Sequence, residues 1–150
     1  MNKLLSIVFV LVWMVVIFSF SRQDATESSE TSGPIVEKVE EVVETITQQP
    51  APETLGQLVR KGAHVFIYLV LGAFVVDALS YHPLKRKTIL ISAYLITLVY
   101  AISDEIHQYY IPGRSGEARD VLIDMVGATI GIFIMLYLKQ RVNEKPIQQN

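Results

Sequence analysis

The sequence predicts an all-α, polytopic membrane protein with four transmembrane helices and an acidic extracytoplasmic loop. Three observations lead there. Of 150 residues, 51% are hydrophobic and only 19% charged, and the mean hydropathy of +0.36 is apolar for a soluble domain of this size. Four apolar runs, at about 4–20, 62–80, 88–106 and 120–138, have the length of a bilayer crossing. Ionisable side chains gather between the runs, most densely in SDEIHQYYIPGRSGEARDVLID from Ser103 to Asp124. The chain thus reads as one membrane domain over 1–150, with 21–59 as the acidic loop and 139–150 as a cytoplasmic tail. A net charge of -2 and a pI of 5.9 argue against nucleic acid as a partner. The absence of cysteine excludes disulfides, thiolate metal sites and a cysteine nucleophile.

Leu4 to Phe20 is an uncharged run of seventeen residues behind Lys3. It exceeds the roughly 7–15 residues of a signal-peptide core and lacks a clear small-residue cleavage pattern, which favours an uncleaved first span. Trp13, near mid-run, is expected to pack against another helix. The loop that follows carries eight Asp or Glu between Asp24 and Glu53 against Arg22 and Lys38. Within it Ile35, Val36, Val39, Val42, Val43 and Ile46 recur at helical spacing, opposite Glu37, Glu40, Glu41 and Glu44. This predicts a short amphipathic helix, either a lid on the bundle or a nascent helix in a linker, ended by Gln48 to Pro52. The spans do not need its apolar face, so the segment is expected to be dispensable for insertion.

The second span is entered through Gln57, Arg60, Lys61 and His64; Arg60, His64 and Tyr68 form an i, i+4 stripe directed at the bundle interior. Asp77 is placed at the far interface. Lys85, Arg86 and Lys87 in the next connection mark the cytoplasmic side, shared by Lys3, Lys139, Arg141 and Lys145. Both termini are then cytoplasmic in a multi-pass cell-membrane protein. The third span, Thr88 to Ile106, measures about 28 Å at the helical rise. Asp104, His107 and Gln108 share a face near its end. Glu105 lies about 200° from His107, so the two serve different neighbours unless the helix breaks between them. The fourth span starts with Asp120 and Asp124 one turn apart, and Gly127 and Gly131 continue that side with the spacing that lets helix backbones approach.

Six of thirteen Lys and Arg fall outside, and four of these, Arg60, Lys61, Arg114 and Arg119, sit near helix starts. That runs against the positive-inside rule. Asp104, Glu105, Asp120 and Asp124 lie in the same layer and balance them formally. The expectation is therefore one polar pocket near the outer interface, with His64, Asp104, Glu105, His107, Asp120 and Asp124 as candidate catalytic groups. Arg60, Lys61, Tyr68, Gln108, Arg114 and Arg119 are candidate ligand contacts.

Taken together, Arg60-Lys61-Gly-Ala-His64-x-x-x-Tyr68-x-x-Leu71-Gly72, Ser103-Asp104-Glu105-x-His107-Gln108, Pro112-Gly113-Arg114, Asp120-x-x-x-Asp124 and Gly127-Ala128-x-x-Gly131 resemble the VanZ-like family. The Phe18-Ser19 end of the first span is similar to that family as well. The acidic segment from about Asp24 to Pro52 is longer and more charged than the family pattern. The resemblance implies a small bacterial polytopic membrane protein, of a family named for a member associated with low-level teicoplanin resistance.

Two functions follow. One is a non-enzymatic envelope protein whose outer pocket binds a lipid headgroup, a lipid-linked cell-wall precursor or a glycopeptide antibiotic, with Arg reading phosphate and carboxylates reading amines. The other is a membrane hydrolase or transferase on a lipid-linked substrate, with His and carboxylates shuttling protons or holding a divalent metal. A salt-bridge network that only fixes helix packing is the third reading, and four spans make a transporter the least favoured. The predicted orientation is checked with single cysteines placed in this cysteine-free chain. In intact cells, a label that cannot cross the membrane is expected to react at position 116 and not at 86; the opposite pattern reverses the topology.

Overall fold

The computed structural model describes residues 2–23, 25–113 and 117–143; Arg114 and Lys145 lie outside them. Among the described residues the chain forms five helices and no strand: α1 Lys3–Ser21, α2 Ala25–Thr47, α3 Leu55–Leu79, α4 Arg86–Tyr109 and α5 Ala118–Asn143. All but α2 are long and apolar enough to cross a membrane. Their outward faces carry residues such as Leu11, Val15, Val99 and Phe133, which suits contact with lipid.

The termini of each helix follow local chemistry. Asn2 Oδ1 accepts from the Leu5 amide at 2.9 Å and caps α1. α2 is longer than the predicted amphipathic stretch, because it continues backwards through Gly33 and Pro34 to Ala25. It stops where Gln48 turns left-handed at φ 55°. α4 runs unbroken through both Glu105 and His107 to Tyr109, after which Gly113, at φ 77°, lets the chain reverse.

The four spanning helices alternate in direction, so one end of the bundle gathers the start of α1, the end of α3, the start of α4 and the end of α5. A polar clasp closes that end. Ser6 Oγ donates to Asp77 Oδ2 at 2.8 Å, and Lys139 forms an ion pair with Asp77 while lying over the Tyr81 ring at 5.1 Å. Arg86 donates to Gln140 beside it. Mid-bundle, Trp13 Nε1 donates to the Ile67 carbonyl at 2.8 Å and meets Phe74 edge-on, as the packing expectation for this residue requires. Tyr100 donates to the Met14 carbonyl, and Tyr94 to Thr129 at 3.0 Å. The core is built from Ile17, Tyr68, Leu71, Val76, Ala93, Ala101, Ala128 and Ile132.

α3 and α5 share the most extensive interface. Their backbones nearly touch: a Cβ at Gly127 would overlap the Val65 carbonyl, one at Gly131 the Leu69 carbonyl, and one at Gly72 the Ala128 carbonyl. Small residues on both helices allow this, and close packing is what holds helices together where lipid is as apolar as the side chains. Gly33 and Gly62, by contrast, have open space around the Cβ position. Gly127→Ala and Gly131→Ala are each expected to destabilise the purified protein by about 1–3 kcal/mol through overpacking. Gly62→Ala gains roughly 0.5–1 kcal/mol from helix propensity. Thermal unfolding in one detergent checks the ranking, and a neutral Gly131→Ala would mean the interface is looser than described.

Candidate functional site

The end of the bundle opposite the clasp holds the ionisable residues. α3 carries Arg60, His64 and Tyr68 up one stripe; Arg60 is exposed, His64 partly buried and Tyr68 fully buried. That gradient follows from the stripe entering the bundle from its rim. α4 supplies Asp104, Glu105 and Gln108, all buried, and α5 supplies Asp124, fully buried, one turn below the half-buried Asp120.

The α3 to α5 contact brings the first pair together. His64 Nδ1 lies 3.1 Å from Asp124 Oδ1. On α4, Gln108 Nε2 donates to Asp104 Oδ2 at 3.1 Å. The hydroxyls of Ser21, at the end of α1, and Tyr68 also approach Asp104. Glu105 turns the other way and accepts from the Glu117 amide at the start of α5, while His107 stacks on Phe18 of α1 with ring centroids 4.6 Å apart. Glu105 and His107 thus serve different neighbours on an unbroken helix, one of the two outcomes their angular separation allows. Asp104, Glu105 and Asp120 are near enough to feel Asp124 electrostatically.

Beside this cluster is a cavity of about 270 Å³ between α1, α2, α3 and the end of α4. Ile17, Phe20, Ile35, Val59, Ala63 and Ile67 give it hydrocarbon walls. His64, Asp104 and Gln108 supply its polar lining from the cluster, and Arg60 joins from α3. α2 contributes Thr31 and Ser32 along with Ile35, so the acidic segment is part of the site's enclosure.

Several predicted members are not gathered in. Lys61 and Arg119 are exposed, and Arg114 lies outside the described residues. Among the described residues the only ion pair that Asp104, Glu105, Asp120 and Asp124 make is the one with His64. Of the bases expected to balance these acids, the described Arg60, Lys61 and Arg119 make no ion pair with them and are exposed, as long cationic side chains at helix starts are free to be. No three His, Asp or Glu side chains among these residues converge as a metal ion requires. Ser21 is a member that the sequence did not point to: a serine at the end of an apolar run resembles many others, and only the bundle's geometry sets it against Asp104.

A family model described as VanZ/LLP1 matches residues 6–139. No curated protein and no solved structure is matched by the chain. The match runs from within α1 to within α5 and includes every described residue of the site. His64 and Asp124 are expected to be coupled: in a cycle of His64→Gln, Asp124→Asn and the double variant, unfolding free energies should show an interaction of roughly 0.5–3 kcal/mol. Simple additivity would show that the two residues lean on other partners.

Proposed function

Because the chain belongs to the VanZ/LLP1 family, we propose that it is a multi-pass cell-membrane protein that binds the polar head of an amphiphilic cell-envelope component in the cavity beneath α2. Lipid-linked cell-wall precursors and lipoglycopeptides of the teicoplanin type are such amphiphiles. The cavity carries this reading: its walls are hydrocarbon while His64, Asp104, Gln108 and Arg60 offer donors and acceptors. A wholly polar ligand would leave the walls uncompensated, and a wholly apolar one would leave the buried carboxylate unmatched. At about 270 Å³ it is slightly smaller than the roughly 300–1,000 Å³ of sites that enclose drug-sized molecules. It therefore takes a headgroup and the adjoining chain, with the rest of a large amphiphile outside. The basic residues Lys85, Arg86, Lys87 and Lys139 at the opposite end support a cytoplasmic clasp and an outward-facing cavity.

One observation favours a second reading, a hydrolase or transferase on a lipid-linked substrate. His64 faces Asp124 with Nδ1 and also lines the cavity, so a carboxylate orients the ring and Nε2 is the nitrogen left to take a proton. The two readings separate in one experiment on the purified protein, using teicoplanin, deacylated teicoplanin and a polyprenyl phosphate as probes. Binding of the acylated probes is expected to fall at least tenfold in Ala63→Trp, which fills the cavity, and when residues 25–47 are replaced by a Gly and Ser linker. Membrane insertion is expected to persist in both. Turnover of a lipid-linked precursor that disappears in His64→Gln while affinity stays within about threefold would establish the enzyme. Unchanged binding in Ala63→Trp would remove the cavity from consideration.

A further inference from the structure

Among the described residues the site is short of positive charge. Asp104, Glu105, Asp120 and Asp124 each keep one buried oxygen without a hydrogen-bond partner, namely Oδ1, Oε2, Oδ1 and Oδ2. Histidine at position 64 is the only cation candidate they contact among the described residues. Unpaired carboxylates at a membrane edge are costly, and they persist where a cavity or a partner meets them. A separate observation concerns the same carboxylates. The Tyr68 hydroxyl is fully buried and lies near Asp104 without reaching a partner at hydrogen-bonding geometry. Asp104 itself lines the cavity and is only 4% exposed.

These groups share a preference. The carboxylate oxygens only accept, and a phenol oxygen with an unused lone pair accepts as well. An ammonium group offers three donors and no acceptor, together with a positive charge. A quaternary ammonium would bring the charge but leave the acceptors unmet. Near the rim of the same cavity, Arg60 stands one turn before His64 on α3, at a rise of about 6 Å. A guanidinium there suits a phosphate bidentately.

Resting on the amphiphile reading above, we propose that the ligand's head is a primary ammonium joined by a short linker to a phosphate, the head of an aminophospholipid. The ammonium seats on Asp104 beside Tyr68, and the phosphate meets Arg60. The hydrocarbon walls then hold the glycerol end and the first methylenes of a chain.

Native mass spectrometry of the full chain in detergent tests this with four probes. They are phosphatidylethanolamine, its N-acetyl derivative and phosphatidylcholine with identical acyl chains, and glycerophosphoethanolamine with none. Phosphatidylethanolamine is expected to bind at least tenfold more tightly than the N-acetyl lipid, with phosphatidylcholine weaker than phosphatidylethanolamine as well. Asp104→Asn is expected to shrink the first difference below threefold, and Arg60→Gln to weaken phosphatidylethanolamine and the N-acetyl lipid alike. Equal binding of phosphatidylethanolamine and the N-acetyl lipid, with both lost in Ala63→Trp, overturns the ammonium assignment and leaves the cavity reading standing. Undiminished discrimination in a folded Asp104→Asn overturns it too. If glycerophosphoethanolamine binds as well as the lipid, the amphiphile reading fails while the ammonium assignment survives. If none of the probes binds, both fail.

Discussion

The close approach of α3 to α5 is the contact on which the rest of the bundle depends. In lipid, burying apolar side chains gains little, so two helices adhere through backbone proximity and van der Waals contact. Gly72, Gly127 and Gly131 provide that proximity, each facing a backbone carbonyl across the interface. The functional geometry is a consequence of it. His64 lies on the same stretch of α3 as Val65, and Asp124 is one turn before Ala128 on α5, so the spacing that seats Gly127 against Val65 also brings the imidazole to the carboxylate.

With that pair fixed, α4 is placed by two kinds of contact. Its apolar and hydroxyl face, Ala93, Thr97 and Ala101, packs inward, and the same face continues one turn on into Asp104 and Gln108. Helical periodicity thus makes the carboxylate buried wherever the alanines are buried. α1 completes the enclosure through Ile17 and Ser21, and α2 closes the cavity with Thr31, Ser32 and Ile35. Pro34 is tolerated inside α2 because that helix lies against α3 at the bundle's end, where the backbone group it leaves unbonded can be hydrated.

The sequence made legible whatever depends on a single helix. Run length identified the four spans, and i, i+4 spacing put Arg60, His64 and Tyr68 on one stripe and Asp120 above Asp124. The glycine spacing identified the interface side of α5. What depends on two helices was not legible. Ser21 reaching Asp104, Phe18 stacking on His107 and Ser6 meeting Asp77 are separated by dozens of residues and carry no periodic signal. The formal charge balance does not appear as pairing among the described residues, where Lys61 and Arg119 are exposed and Arg60 lines the cavity without an ion pair to an acid. The extent of α2 was hidden because its first turns, Ala25 to Pro34, carry no apolar stripe and so no periodic signal before Ile35.

The two polar ends of this molecule offer an internal control. At one, Asp77 is buried and also satisfied: Ser6 donates to one oxygen, Lys139 pairs with the other, and the Tyr81 ring lies under the lysine. That is how this chain builds a carboxylate whose task is to hold helices together. At the other end a comparable parts list, a buried aspartate with a serine and a tyrosine nearby, is left without a Lys or Arg partner among the described residues and opens on a cavity instead of a closed contact. A network needed only for packing would be expected to resemble the first arrangement, since an unpaired buried acceptor costs about 1–3 kcal/mol and lends no adhesion. Among the described residues Asp104 keeps one such acceptor open and also lines the hydrocarbon-walled cavity, so its surroundings differ from those of Asp77 in both pairing and enclosure.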